Sequence, residues 1–177
     1  KKEFSSLTIY RRGATFFKSD TNDPYYFFFD CETTGVPGSG KVIRIVQLSW
    51  LILDKNFCEV KNESFYLNPG KPIPEDSIAI HHITNEIVNK KSTPHIDVLK
   101  KFYEDLERCT WIVAHNFNFD AGRVDLETKK VKLVKPSLFE HKKSICTMEK
   151  GTNYCKLGPK IYGSYKWPTL EELASYC

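Results

Sequence analysis

The sequence predicts an α/β domain built on a mixed sheet, and two observations lead to this fold class. Strand-like apolar segments at residues 25–31, 42–53 and 57–67 follow one another with short connections, which is typical of antiparallel hairpins. Beyond them helical and strand-like segments alternate, which is typical of a sheet with helices on its faces. The sequence therefore predicts a five-stranded sheet of three antiparallel strands followed by parallel strands, flanked by helices.

Hydrophobic periodicity predicts the order of the later elements. A short helix begins at Pro74, and apolar residues recur at helical spacing over 95–109, which indicates an amphipathic helix. Strand-like residues at 111–114 lead into a helix over 117–134 with a lysine-rich outer face. We expect a short strand at 144–148, irregular chain at 151–167, and a last helix that opens at Pro168.

Length and composition indicate one globular domain. The chain has 177 residues, of which 41% are hydrophobic, and this is enough for a sizeable core. Residues 1–24 are mixed and basic, and we interpret them as an N-terminal arm or an extra strand. The domain itself is expected to span 25–177.

Charge and cysteine content restrict the function classes. A net charge of +4 permits a polyanionic partner without requiring one. The six cysteines show no regular spacing, so a disulfide framework and a zinc knuckle are both disfavoured, and an intracellular (cytoplasmic) location is expected. Apolar stretches are too short to span a bilayer, so we expect no membrane partner.

Two carboxylates follow the most apolar strand of the chain. Asp30 and Glu32 are two residues apart at its end, so on a strand they project from the same face. Adjacent carboxylates that lose hydration need a cation or a proton, and oxygen ligands favour Mg²⁺ or Mn²⁺ over zinc. The alternative is that these side chains only cap the following turn.

A third carboxylate lies at a strand-to-helix junction. The strand 111–114 ends before His115, and the next helix starts near Phe117, so Asp120 falls in its first turn. One interpretation makes Asp120 a partner of Asp30 and Glu32. The alternative is that Asp120 only complements the helix dipole and that His115 is an interior histidine with satisfied hydrogen bonds.

Taken together, these segments resemble the DEDDh 3′→5′ exonucleases, the DnaQ-like group with an RNase H-like fold that includes polymerase proofreading subunits and ribonuclease T. Residues 29–35 (FDCETTG) resemble the first family motif, and residues 114–120 (AHNFNFD) resemble the second. The connecting segment matches at Asn68-Pro69, Ile73-Pro74 and His81-x-Ile83-Thr84. Residues 146–148 (CTM) and the pattern Leu170-x-x-Leu173 match the following strand and helix.

The resemblance implies a metal-dependent enzyme that removes nucleotides from single-stranded 3′ ends of DNA or RNA, with two Mg²⁺ or Mn²⁺ ions in the complete enzyme. It assigns the catalytic and metal-binding roles to Asp30, Glu32 and Asp120. It assigns contacts with the terminal nucleotide to Thr33, Thr34, Val36, Asn116 and Phe119, although ordinary packing is an alternative for Val36 and Phe119. A polymerase partner and the oligomeric state stay open.

The sequence departs from the family pattern at three places. His82 replaces a usual glycine, and Cys146 stands where aspartate is common. The third motif, a histidine and an aspartate five positions apart after the last helix, does not occur in 174–177. His115 and Asp120 have that spacing, but they precede the later matches, so we do not assign them to it.

We therefore expect that the chain as given lacks the last helix and its catalytic pair, and that it is inactive or nearly so by itself. The alternative function is a catalytically incomplete RNase H-like module that binds nucleic acid or another partner.

Overall fold

The computed structural model describes residues 25–35, 42–134, 139, 142–159 and 163–177. The basic segment 1–24, interpreted above as an arm or extra strand, lies outside the described residues. The strands are β1 (Tyr26–Thr33), β2 (Ile45–Leu53), β3 (Glu59–Tyr66), β4 (Trp111–Ala114) and β5 (Lys143–Cys146). The helices are α1 (Glu75–His81), α2 (Asn85–Lys91), α3 (His95–Glu107), α4 (Phe117–Lys130), α5 (Thr147–Cys155) and α6 (Leu170–Ala174).

The five strands form one mixed sheet in the order β3-β2-β1-β4-β5. β1 pairs antiparallel with β2, and β2 pairs antiparallel with β3. β1 also pairs parallel with β4, which pairs parallel with β5. This confirms the predicted fold class, and it places β1, the strand with Asp30 and Glu32, at the centre of the sheet.

The main core lies between one face of the sheet and helices α3 and α4. Alternate residues of β1 point into it, and Phe102 of α3 lies at its centre with no exposed surface. The ring of Phe102 meets Phe27, Phe29 and Trp50 edge-on, with ring centroids 5.0, 5.6 and 5.4 Å apart. Truncation of such a buried ring to alanine typically costs about 3–5 kcal/mol. The core therefore holds β1 rigidly beneath the carboxylates.

Two helical segments differ from the sequence prediction. The structure has the helix α2, for which no helix was predicted, and its N-cap is Thr84, whose hydroxyl accepts the Ile87 N–H. The structure also has the helix α5 over Thr147–Cys155, where a strand to 148 and irregular chain from 151 were expected. Both helices are short, so tertiary packing rather than periodicity decides their formation.

Gly151 was interpreted as the start of an irregular segment, but it lies inside α5. A Cβ atom at this position would stand 2.9 Å from Cδ1 of Leu173 and 3.1 Å from Cγ of Pro168. Glycine therefore serves close packing between α5 and α6 rather than a break in the chain.

None of the described helices is long and apolar enough to cross a bilayer.

Candidate active site

Asp30 and Glu32 project from one face of β1, as their spacing predicts. The residues that alternate with them are buried in the core, whereas Asp30 is exposed and Glu32 is half-buried. Pairing between β1 and β4 ends at Phe28 and Val113, so both carboxylates lie beyond the last paired residues. They therefore stand at the end of the central strands, on the side of the sheet where β4 ends and α4 begins.

Asp120 lies against the peptide that joins these two residues. Its Oδ1 atom accepts a hydrogen bond from the main-chain N–H of Cys31 at 3.3 Å and from the Cys31 thiol at 3.0 Å. Cys31 is the residue between Asp30 and Glu32, and Asp120 is only 2% exposed. The fold thus brings the third predicted carboxylate to the first two across 89 positions of sequence.

The turn between β4 and α4 explains this placement. Only His115 and Asn116 separate the two elements, and Asn116 has a left-handed backbone with φ 64° and ψ 50°. Asparagine tolerates this conformation better than most residues, so the chain can reverse sharply into the helix. Asp120 then lies in the first turn of α4, where free N–H groups favour a negative charge.

The pKa of each carboxyl is raised above its ordinary value. Desolvation by the surrounding protein atoms is the main cause for Asp30, although part of its surface stays open to solvent, and for Glu32, where the charge of Asp30 adds to it. Burial, and after it the charges of Asp30 and Glu32, raise the pKa of Asp120 to about 7, although the bonds from Cys31 act in the opposite direction. Like charges in a poorly hydrated site favour uptake of a proton or a cation.

Little positive charge from the protein offsets these carboxylates. Within the described parts of the chain, no lysine or arginine forms an ion pair with them. His115 is the described side chain whose charge lowers the pKa of Asp30. The site therefore retains an excess of negative charge.

His115 is held by two partners at the end of β4. Its Nε2 donates to the Pro168 carbonyl at 3.0 Å, and its Nδ1 lies 3.0 Å from Oγ1 of Thr147. His115 is therefore half-buried with both ring nitrogens engaged, which is what the alternative interpretation of this junction expects of the histidine. Its bond to Pro168 also attaches the start of α6 to the candidate site.

The donor set has the chemistry of a site for a hard divalent cation. Carboxylate oxygens are the ligands that Mg²⁺ and Mn²⁺ prefer, and Asp30, Glu32 and Asp120 supply them. As the side chains stand, no three His, Cys, Asp or Glu residues of the described ranges are gathered closely enough to hold an ion. Oδ1 of Asp120 is turned towards Cys31, which leaves Oδ2 as the atom that can bind an ion.

The turn after β1 uses its threonine hydroxyls internally. Thr33 donates its hydroxyl to the Gly35 carbonyl at 2.7 Å, and the Thr34 hydroxyl accepts the Arg44 N–H at 3.0 Å. Both threonines are buried. A ligand would therefore meet their main chain rather than their hydroxyls. Val36, predicted to pack against the terminal base, lies outside the described residues.

Asn116 and Phe119, two further predicted substrate contacts, flank the start of α4. Asn116 is exposed, and its side chain makes no capping hydrogen bond. Phe119 is half-buried against the core, and the Arg123 guanidinium lies 5.5 Å from its ring centroid. Both residues lie just before Asp120 in the chain. Their contact with the substrate stays a prediction.

Sequence reasoning missed a buried ion-pair network behind the site. Glu127 lies on the helix that was expected to have a lysine-rich outer face, but its side chain is only 3% exposed. It accepts two hydrogen bonds from Arg44, at 2.5 and 2.8 Å, and one from the Ile45 N–H at 3.3 Å. Nδ1 of His95 lies 3.2 Å from the same carboxylate.

This network supports the end of β1. Burial by itself would raise the pKa of Glu127, but hydrogen bonds from His95 and Arg44, together with their charges, lower it to about 2. The main chain of Arg44 also holds Thr34: its N–H donates to the Thr34 hydroxyl and its carbonyl accepts the Thr34 N–H, so Glu127 anchors the turn that follows Glu32. No local signal could have revealed this role, because the partners lie 83 and 32 positions away.

A cavity of about 500 Å³ opens beside Asp30, on the sheet face that α3 and α4 leave free. This volume is within the range of small-ligand sites. Its walls are mostly apolar, and Asp30 and His115 are its ionisable groups. The lining residues include Phe28, Leu51, Val113, Ala114, Leu170 and Leu173.

The family model of RNase T-type exonucleases matches residues 27–176, a range that contains all three carboxylates. The chain belongs to this exonuclease family. The structural neighbours agree with that assignment at the level of the fold. Escherichia coli exonuclease I in complex with a dA16 oligonucleotide superposes with a TM-score of 0.66 at 15% identity, over 86% of this chain and 36% of that protein.

Curated relatives of the exonuclease domain are DNA polymerase III proteins. A PolC-type polymerase of Listeria welshimeri is 33% identical over 113 residues, which is 64% of this chain and 8% of the polymerase. The epsilon subunit of Rickettsia felis is 30% identical over 122 residues, which is 67% of this chain and 51% of the subunit. The chain therefore spans about half or less of the length of these relatives.

Two departures from the family pattern have visible consequences in the exonuclease domain. His82, at the position of a usual glycine, ends α1 with a left-handed backbone of φ 61°. Cys146, at the position of a common aspartate, precedes α5 and makes no side-chain capping bond, although aspartate is a favoured capping residue. Both departures replace a locally favourable residue with a less favourable one.

Proposed function

We propose that the chain acts in a 3′→5′ exonuclease that removes nucleotides from single-stranded ends of DNA or RNA with divalent ions, Mg²⁺ or Mn²⁺. Asp30, Glu32 and Asp120 are the proposed ligands and catalytic residues. One observation carries the proposal: the Asp120 carboxylate is hydrogen-bonded to the residue between Asp30 and Glu32. This joins the two strongest sequence motifs in one place.

The electrostatics explain why such a site needs cations. A phosphodiester is negative, so three carboxylates without paired cations repel it. When bound, two divalent ions supply an activated water and positive charge for the leaving oxygen. The carboxylates are suited to hold them, because desolvation and mutual repulsion raise their pKa values and make each a stronger base.

The surroundings of the site support a nucleic-acid end as the substrate. Thr33 and Thr34 directly follow Glu32 in the chain, the exposed Asn116 and the half-buried Phe119 lie just before Asp120, and the cavity beside Asp30 offers apolar walls. Exonuclease I is described in complex with an oligonucleotide. Similarity to DNA polymerase III proteins supports association with a polymerase. The same similarity and the six free cysteines support an intracellular location.

A degradation assay with a 5′-labelled single-stranded oligonucleotide tests the proposal. Residues 1–177 are expected to have little or no activity by themselves. The chain is therefore used in molar excess over the oligonucleotide, with Mn²⁺, so that even slow cleavage can be detected. The expected product is a ladder that shortens from the 3′ end. The Asp30→Asn variant, which keeps the size of the side chain but loses its charge, should give no ladder.

Three results bear on the proposal in different ways. Release of the labelled 5′ mononucleotide, or internal cleavage, would contradict the proposed polarity. Binding of the oligonucleotide without any cleavage, together with no stabilisation of the chain by Mn²⁺, would favour the alternative of a binding module, whereas Mn²⁺ binding without cleavage would fit the expected loss of the catalytic pair. Cleavage that persists in Asp30→Asn would contradict the proposed ligand set.

A further inference from the structure

Arg123 is a half-buried cation on α4 whose Nε–H group has no acceptor among the described residues. Its guanidinium carbon lies 5.5 Å from the centroid of the Phe119 ring, which is typical of a cation–π contact. Its Nε is buried and has no hydrogen-bond partner in the structure. Within the described ranges no carboxylate pairs with this guanidinium.

A buried donor on a charged group without a partner is unfavourable. Such a group typically costs about 1–3 kcal/mol, and native proteins contain few of them. Arg44 shows the usual solution in this domain, since its guanidinium donates to Glu127 and to the Pro69 carbonyl. Among the described residues, the contact of the Arg123 guanidinium is with the Phe119 ring, so unlike Arg44 it has no protein acceptor there.

The position of Arg123 shows where a ligand would lie. Arg123 is three residues after Asp120 on α4, so both side chains share one side of the helix. Helical side chains lean towards the N-terminus of the helix, and the contact with Phe119, four residues earlier, shows that Arg123 does so. The guanidinium is therefore directed towards the first turn of α4, the turn that contains Phe119 and Asp120.

The chemistry of the group identifies the class of ligand. A guanidinium is planar, permanently charged and suited to phosphate oxygens, which it can bind with two donors at once. A nucleic-acid strand whose end lies at Asp120 places its neighbouring phosphates beside the start of α4. We propose that Arg123 binds one backbone phosphate of the single-stranded substrate; this assignment rests on the proposed function.

The assignment also gives Phe119 a different role from the one expected. The ring was predicted to contact the terminal nucleotide, but it is half-buried and has the guanidinium over it. Phe119 then acts as a positioning residue that orients Arg123. Its effect on substrate binding is exerted through the phosphate contact rather than by stacking on a base.

The test is the affinity for a fluorescent single-stranded oligonucleotide, measured by anisotropy at several salt concentrations. Arg123→Gln should weaken binding about fivefold to tenfold and lower the slope of log affinity against log salt by about 0.7, the value for one phosphate contact on a single strand. Lys129→Gln removes the same charge from an exposed position nearly two turns further along α4. It should change the affinity less than about twofold.

Oligonucleotides with one neutral methylphosphonate linkage identify the phosphate. For the wild-type chain, one linkage near the 3′ end should reduce affinity about as much as Arg123→Gln does. On that oligonucleotide the variant and the wild type should bind equally, because the contact is already absent. If Arg123→Gln fails to fold, Arg123→Lys takes its place: it keeps the charge but loses the two-donor geometry, so it should still bind the unmodified oligonucleotide more weakly than the wild type and lose less affinity than the wild type on the methylphosphonate oligonucleotide.

The outcomes separate this inference from the proposed function. If the wild-type chain does not bind single strands, the proposed function fails, and the inference fails with it. If it binds, but Arg123→Gln leaves the affinity and the salt slope unchanged, only the assignment of Arg123 is overturned. An equal loss for Arg123→Gln and Lys129→Gln would show a general charge effect and would also overturn it.

Discussion

The Asp120 carboxylate accepts hydrogen bonds from both the main-chain N–H and the thiol of Cys31. Through this contact the first turn of α4 is fixed against the middle of the Asp30–Glu32 pair. The thiol is the donor here, since burial and the charge of Asp120 raise the pKa of Cys31 far above its ordinary value. Cys31 thus connects the two acidic motifs without itself adding a charge.

The raised pKa of Asp120 predicts a pH-dependent stability for the metal-free protein. The folded state holds the proton up to about pH 7, whereas the unfolded chain releases it near pH 3.8. The free energy of unfolding should therefore fall as the pH rises from about 4 to about 7, by on the order of 2–4 kcal/mol.

Thermal unfolding of the metal-free protein across this pH range checks the prediction. Asp120→Asn keeps an oxygen that can accept from Cys31 and should flatten most of the dependence. Asp97→Asn removes an exposed first-turn carboxylate from α3 and should leave it unchanged. A wild-type profile that rises with pH over this range would show that the Asp120 carboxyl does not bind the extra proton.

The Glu127 network predicts the opposite behaviour at acidic pH. The lowered pKa of Glu127 means that its stabilising contribution is complete above about pH 4.5 and is lost as the pH falls towards 2. Glu127→Gln leaves Arg44 buried without a counter-ion, so the free energy of unfolding near neutral pH should fall by about 3 kcal/mol or more.

Denaturant unfolding measures this loss. The control is Glu86→Gln, which breaks an exposed pair with Lys90 on α2 and should cost less than about 0.5 kcal/mol. If both variants lose the same small amount, Glu127 does not anchor the turn after β1.

The left-handed residue at the end of α1 offers a stabilising change. His82 has φ 61° and is exposed, and its N–H donates to the Ile78 carbonyl at 2.8 Å. Glycine has no Cβ penalty in this conformation, so His82→Gly should raise the free energy of unfolding by about 0.5–1 kcal/mol. His82→Ala, which keeps a Cβ, should give no gain; an equal gain in both variants would point to loss of the imidazole instead.

The sequence predicted those parts of the fold that depend on local patterns. The apolar run of β1 and the helical spacing of α3 both gave the right element, and the strand-to-helix junction placed Asp120 in a first turn. The helix α5 was not predicted, because Gly151 resembles a breaker until its close contacts with Leu173 and Pro168 are known. Local patterns carry no information of that kind.

The candidate site shows the same division. The side chains of Asp30 and Glu32 could be placed from their spacing alone, whereas the hydrogen bonds between Cys31 and Asp120 could not. The burial of Glu127 depends on Arg44, a partner 83 residues away. Such pairings follow from the packing of α4 on the sheet, which a single sequence does not specify.

The most direct test of the account is the stabilisation of the protein by Mg²⁺ or Mn²⁺ at about pH 8, above the pKa of about 7 of the Asp120 carboxyl. A ligand that binds only the folded state raises the unfolding temperature with its concentration. The account predicts this rise for the wild type and for Asp97→Asn, and its loss in Asp30→Asn, Glu32→Gln and Asp120→Asn. An equal rise in Asp120→Asn, or none in the wild type, would contradict a cation site shared by the three residues.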